Sequence, residues 1–230
     1  MDTIQELAKD KAAGPSKVSN EELKHLGTNM KALTLKLANM CLQIGDIPGE
    51  WREALLYPIP KTMEWEHMLT KTRPIILLET LRKTLVKIIT KRLSAVIAEK
   101  NILKGDLSKA YDQVDVEMLK LAMDRIKIPK ILIQLITNLF VNSKKAIIGY
   151  NGVTPQFTSQ IGIDQGKVIS PLLWTIYYDP LLTEIDSLRL GYKIEHSWKT
   201  NIQVPHKKSL SAIVSSQTYM DDVTCPGHSR

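Results

Sequence analysis

Near the C-terminal end a run rich in β-branched residues, Ser211-Ala-Ile-Val-Ser-Ser-Gln-Thr218, leads into Tyr219-Met220-Asp221-Asp222. β-Branched side chains suit the pleated surface of a strand, so the aspartates are expected at a strand end or hairpin tip. Adjacent carboxylates there repel one another unless a cation sits between them. Magnesium takes one or two carboxylates together with substrate phosphates and is the natural guest. Asp-Asp is also common in solvated turns. A functional reading therefore needs a third carboxylate and a nucleotide pocket from elsewhere in the chain.

The preceding chain alternates helical and extended signals. Ser19-Asn-Glu-Glu22 has the form of a capping box, and Leu23, Leu26, Met30, Leu33, Leu37, Met40 and Ile44 follow at helical steps up to Gly45. This spacing predicts one amphipathic helix whose stripe packs in the core. Ala54–Pro60 and Arg73–Leu78 read as extended runs, because a proline biases its predecessor toward β geometry. Lys61 closes the first and Arg73 opens the second, so these cations either grip a triphosphate or are simply solvated. Residues 80–99 read as a helix with Leu81, Leu85, Ile88, Ile89, Leu93, Val96 and Ile97 on one face. Lys83, Lys87 and Lys91 form a row on another face, read as solvated rather than as a phosphate track.

Asp106-Leu-Ser-Lys-Ala-Tyr-Asp112 offers the third carboxylate, Asp106, with the Tyr111 ring five residues on. The alternative is that Asp112 to Asp115 merely caps the helix expected over 115–127. Pro129 opens a further helix, and Asn151-Gly152 between two extended runs signals a hairpin. In Gly162-Ile-Asp-Gln-Gly166 the glycines let backbone approach a ligand, and Gln165 offers hydrogen bonds to a nucleotide. Ser170-Pro171 starts a helix to about Leu188, Gly191–Ile194 reads as a strand, and His196–Ser209 reads as a polar, basic loop.

A net charge of +7 around a locally acidic centre suits a polyanionic partner steered toward a metal site. Two cysteines are too few for a disulfide framework, and the apolar runs are too short or too charged to span a bilayer. The expected setting is intracellular, nucleus or cytoplasm, with no membrane partner. Cys225 and His228 are only half of a structural zinc site and read as a terminus.

In their order these pieces resemble a reverse transcriptase, an RNA-directed DNA polymerase of the non-LTR retrotransposon and group II intron type. The resemblance rests on Gly14-Pro15 to Leu23, Trp51 to Lys61, Arg73-Pro74-Ile75, Asp106 to Asp112, Gly162 to Pro171, and Tyr219 to Asp222. It implies an α+β fold with the fingers and palm of a right-hand polymerase: a fingers-like lobe at 1–105, a palm-like lobe at 106–230 built on an antiparallel sheet backed by helices, and no thumb. It implies that Asp106 and Asp221 bind two magnesium ions, with Asp222 in the same catalytic signature. Tyr111 would lie under the incoming sugar, Gln165 and Gly166 would touch the nucleotide, Lys61 and Arg73 would hold its triphosphate, and Tyr219 and Met220 would flank the primer end. The partners implied are an RNA template, a DNA primer and deoxynucleoside triphosphates.

With the helix begun near Thr80 expected to run to about Lys100, only Asn101–Gly105 separates it from Asp106, and eight residues follow Asp222. The expectation is therefore a polymerase of a retrotransposon impaired by an internal deletion and a C-terminal truncation. The alternative is a non-catalytic remnant that at most binds nucleic acid. A two-metal nuclease shares the carboxylates but has no need of Tyr111 or Gln165.

Overall fold

The computed structural model describes residues 2–61, 66, 68, 71–103, 114–150, 152–159, 163 and 168–188, and backbone strands at 192–199, 207–214, 217–219 and 222–224. The chain opens with a short helix α1 (Asp2–Gln5) and reaches α2 (Asn20–Lys24) through the expected capping box. The Ser19 hydroxyl accepts from the Glu22 N–H at 3.2 Å, and the Glu22 carboxylate accepts from the Ser19 N–H at 2.7 Å. The single helix read from the sequence is in fact two. Residues 25–27 break it, and α3 (Thr28–Ile44) restarts behind Gly27. Gly45 ends α3 in the left-handed region, φ 72°, where an added Cβ would lie 2.7 Å from Ile131.

That break changes which face of α3 is buried. Leu37, Ala38, Cys41 and Leu42 turn to the core, whereas Met30, Leu33, Met40 and Ile44 are 44–61% exposed. The stripe expected in the core is thus largely on the surface. A helix restarted after three non-helical residues sets its phase by what it packs on, and regular spacing alone cannot fix that phase.

A turn of 3-10 helix (Gly49–Arg52) leads into β1 (Glu53–Pro60), which pairs antiparallel with β2 (Thr72–Leu78) from Ala54 opposite Leu78 to Pro60 opposite Thr72. On its other side β1 lies parallel to β3 (Ser143–Gly149), with Leu55 opposite Ala146. β4 (Gly152–Val153) and β5 (Phe157–Ser159) pair antiparallel with β3, completing a five-stranded mixed sheet. The fold is α+β as expected. Its sheet departs from purely antiparallel at β1–β3, where three helices make the crossover that parallel strands require.

Those helices are α4 (Thr80–Glu99), α5 (Val116–Arg125) and α6 (Lys130–Asn138), followed after β5 by α7 (Ser170–Leu188). Asp115 caps α5 by accepting from the N–H groups of Glu117 and Met118 at 2.8 and 3.0 Å. One core takes Trp51, Leu85 and Ile89 of α4, Leu119 and Met123 of α5, Leu135 and Ile136 of α6, and Leu173 and Ile176 of α7. Between α5 and α7, Arg125 pairs with Asp179, whose side chain is almost wholly buried.

Two arginines bind carbonyls at the C-terminal end of α6. Arg82 donates to the Trp51 carbonyl at 2.6 Å and to that of Leu139. Arg52 donates to Asn138 and Val141 carbonyls at 2.8 and 3.2 Å and to Asp46 at 2.5 Å. Cations at a helix C-terminus complement both its unpaired carbonyls and its dipole.

The N-terminal arm is held against α4. Glu79 accepts from the Ser16 hydroxyl at 2.8 Å, the Thr80 hydroxyl donates to the Val18 carbonyl at 2.6 Å, and Ile4 and Leu7 share a small apolar cluster with Leu23. The lysine row also differs from the expected solvated face. Lys83 donates to the Ala12 carbonyl and Lys87 to the Glu6 carbonyl, each at 3.3 Å, and Lys91 reaches the Glu6 carboxylate at 3.3 Å. The row latches the arm, a long-range contact that periodicity does not record.

The two ends of the segment His196–Ser209, read as a loop, belong to paired strands, β6 (Tyr192–Lys199) and β7 (Lys207–Val214), with His196 opposite Leu210. An antiparallel strand need not be covered on both faces, so no continuous apolar run is required to form one. β8 (Gln217–Tyr219) and β9 (Asp222–Thr224) form a last hairpin.

Candidate functional site

Lys61 and Arg73 lie at the same end of the β1–β2 hairpin. Lys61 follows Pro60, which faces Thr72, and its N–H donates to the Lys71 carbonyl at 2.9 Å. Arg73 faces Ile59 and its side chain is exposed. Side chains of directly opposed residues share a face, and alternate residues return to it. Arg73 therefore shares a face with Ile59 and Tyr57, and antiparallel pairing brings these two separated cations to one tip.

Asp106, Tyr111, Gln165, Gly166, Met220 and Asp221 lie outside the described residues. The residues on either side of them are described. Ile102 and Leu103 pack against the core after α4, and Val114, fully buried, re-enters it before the Asp115 cap. Ile163 and Ile169, both essentially buried, flank the segment that carries Gln165 and Gly166. Both segments thus start and finish on the same hydrophobic core. Tyr219 of β8 stands opposite Asp222 of β9, which starts its strand; Asp221 lies outside the described residues.

Among the described residues no three His, Cys, Asp or Glu side chains are grouped to hold a metal ion. The donor set proposed from the sequence, Asp106 with Asp221 and Asp222, consists of carboxylate oxygens alone. Such hard donors fit magnesium and disfavour softer metals, which prefer sulfur and imidazole. No described helix is long and apolar enough to cross a membrane.

Sequence reasoning missed the contacts that support this region. Arg82 stands in phase with Val86, Ile89, Leu93 and Ile97, the buried face of α4. That phase was its available signal; its charge argued the other way. Glu79 and Gly14 carried no periodic signal. A Cβ on Gly14 would lie 2.3 Å from the Leu78 carbonyl oxygen, so the arm reaches the end of β2 only because residue 14 has no side chain.

No curated protein matches the chain. The family model described as "Reverse transcriptase (RNA-dependent DNA polymerase)" matches residues 97–229, more than half of the 230 residues. The match includes Asp106, Tyr111, Gln165, Gly166, Asp221 and Asp222 and leaves out Lys61 and Arg73. With the α+β fold and mixed sheet, this establishes that the chain belongs to the reverse transcriptase (RNA-dependent DNA polymerase) family.

Proposed function

We propose that the chain is an RNA-directed DNA polymerase domain of a retrotransposon, with a fingers-like part at 1–105, a palm-like part at 106–230 and its catalytic carboxylates on Asp106, Asp221 and Asp222. The observation that carries this reading, within the family match, is that Leu103, Val114, Ile163 and Ile169 belong to one core. The segments bearing Asp106 with Tyr111, and Gln165 with Gly166, are thereby tethered to a common base.

In this reading Asp106 and Asp221 hold two magnesium ions, and Asp222 adds negative charge beside them. The ions, when bound, supply acidification of the primer 3′-hydroxyl and charge stabilisation on the leaving pyrophosphate. Lys61 and Arg73 grip the triphosphate of the incoming deoxynucleotide from the β1–β2 tip, Arg73 as a planar fork and Lys61 as a point charge. Gln165 and Gly166 meet the nucleotide, and Tyr111 fills the space that a 2′-hydroxyl needs. Tyr219 and Met220 line the primer end. RNA template and DNA primer are held chiefly through their backbones, because a polymerase must accept every sequence.

The short connection 101–105 favours an impaired enzyme. Five residues span at most about 17 Å when extended, and a ~1 Å displacement of a catalytic group costs on the order of a hundredfold in rate. The same short connection, with the +7 net charge, supports the second reading of a non-catalytic remnant that binds nucleic acid.

Primer extension on an RNA template with magnesium, beside an Asp221→Ala control, tests both readings. Weak extension lost in the control supports an impaired polymerase; robust extension lost in the control removes the impairment and keeps the polymerase. Identical traces from chain and control leave the remnant. Where extension occurs, Tyr111→Val should admit ribonucleotides that the parent chain rejects, and equal use of both by the parent would reduce Tyr111 to a packing residue.

A further inference from the structure

A cavity of about 550 Å³ lies between the N-terminal arm, β2 and the arm-facing side of α4. Among the described residues β2 is the edge strand of the sheet, and its residues Ile75 to Leu78 form one wall of the cavity. The wall is otherwise mainly aliphatic, and Ile75 and Val168 on it are about half exposed, so the cavity opens to solvent. Among the described residues its charged lining is cationic: Lys11, Lys83 and Lys87, with Arg82 behind them already committed to backbone carbonyls.

Lys11 makes no hydrogen bond or ion pair with a described residue. Lys83 and Lys87 each give a bond to an arm carbonyl, at 3.3 Å. An ammonium carries three donors, so both keep capacity for an anion. The acidic groups facing them are Glu79 beside Lys83 and the Glu6 carboxylate 3.9 Å from Lys87. Burial lowers the Lys83 pKa and Glu79 partly restores it, so a second anion nearby would favour the charged form.

We infer that this cavity binds one nucleotide unit of a single-stranded nucleic acid, its phosphate gripped by Lys11, Lys83 and Lys87 and its base laid against the aliphatic wall. Cations grouped on one side of an apolar surface match a ligand that is anionic at one end and flat and weakly polar at the other. The amide on the lining, Asn20, is buried and has one N–H on the Ala8 carbonyl at 2.7 Å, and the lining beside it is mainly aliphatic. Apolar contact with a base face tolerates any base, so little discrimination between bases is expected. A free acidic peptide would satisfy the lysines equally, but the polymerase family favours a nucleic-acid strand. The inference rests on the reading that this chain handles nucleic acid, yet it needs neither metal nor catalysis.

The test is fluorescence anisotropy of a short labelled oligouridylate with the full chain in EDTA. Lys11→Gln should weaken binding about three- to tenfold and flatten the dependence of log affinity on log salt by about 0.7, the value for one single-strand phosphate contact. An oligoadenylate should lose as much, and thermal melting should not move, because Lys11 makes no hydrogen bond or ion pair with a described residue. Lys130→Gln, on an exposed cation at the start of α6, should change neither affinity nor slope by more than about the assay error. Unchanged binding in Lys11→Gln, an equal loss in Lys130→Gln, or displacement of RNA by oligoglutamate as readily as by unlabelled RNA would each overturn the site. Failure of primer extension with this binding intact would overturn only the polymerase reading.

Discussion

Arg82 and Lys83 are neighbours on α4 and both donate to backbone carbonyls, yet they belong to different regimes. Arg82 is 1% exposed and joins the 3-10 helix before β1 to the end of α6 through Trp51 and Leu139. Lys83 is half-buried and joins α4 to the arm through one 3.3 Å bond to Ala12. In the dry interior a charge-assisted bond competes with no water, and the planar guanidinium holds two carbonyls at fixed separation. At the edge an ammonium bond competes with solvent and is screened by salt. The comparison teaches that the inner contact is a structural clamp, whereas the outer one is a latch that can share its lysine with an anion.

The strongest way to break this contrast is Arg82→Ala. It removes two charge-assisted bonds, each contributing about 1.5–3 kcal/mol, and leaves a void, so urea denaturation should show a loss of about 3–5 kcal/mol. Arg82→Lys should recover at most about half, since one ammonium lacks the two-pronged geometry. A loss under about 1 kcal/mol for the alanine variant would make Arg82 no more than another latch. Next is Gly14→Ala. Its Cβ meets the Leu78 carbonyl, so the arm must shift, at a cost of about 1–3 kcal/mol. Limited proteolysis should then cut within residues 1–18 sooner than in the parent, and an unchanged cleavage pattern would show that the arm adapts without loosening.

Lys87→Ala with Lys91→Ala tests the outer regime directly. Both contacts to Glu6 are surface pairs, so the combined loss should be under about 1 kcal/mol and should vanish at high salt. A large, salt-independent loss would place the row with the clamps. The smallest effect concerns Cys41, on the dry side of α3. Burial first, and the Asp46 carboxylate second, push its thiol above the usual range. The folded state therefore holds this proton more tightly than the unfolded chain does. That contribution to stability is complete below the unfolded thiol pKa and is lost as pH rises through the folded one. Iodoacetamide at neutral pH should modify Cys41 slowly in the native chain and readily in urea, read by peptide mass spectrometry. Equal rates in the two conditions would show that this part of α3 is open to solvent.

Much of this was legible in the sequence because local chemistry decided it. The Ser19 box, the Gly45 stop, the Thr80–Glu99 helix, the Asp115 cap and the Pro129 entry each depend on residues within a few positions of one another. The ordered motifs from Asp106 to Asp222 likewise carry the family without any geometry, and they lie within the matched span. The strand that ends at Tyr219 fits the β-branched run before it, since strand propensity is written in adjacent residues.

Tertiary structure alone decided what those elements do to one another. It turned Met30, Leu33, Met40 and Ile44 outward, because the phase of a restarted helix is set by its packing partner. It put Arg82 inside, because two remote carbonyls waited there, and it made a lysine row into the anchorage of an arm more than 70 residues away in sequence. It brought Lys61 and Arg73 to one hairpin tip and set β1 parallel to β3. Contacts of this kind depend on which surfaces meet after the chain has closed long loops. Propensity and periodicity are properties of neighbouring residues and hold no record of that closure.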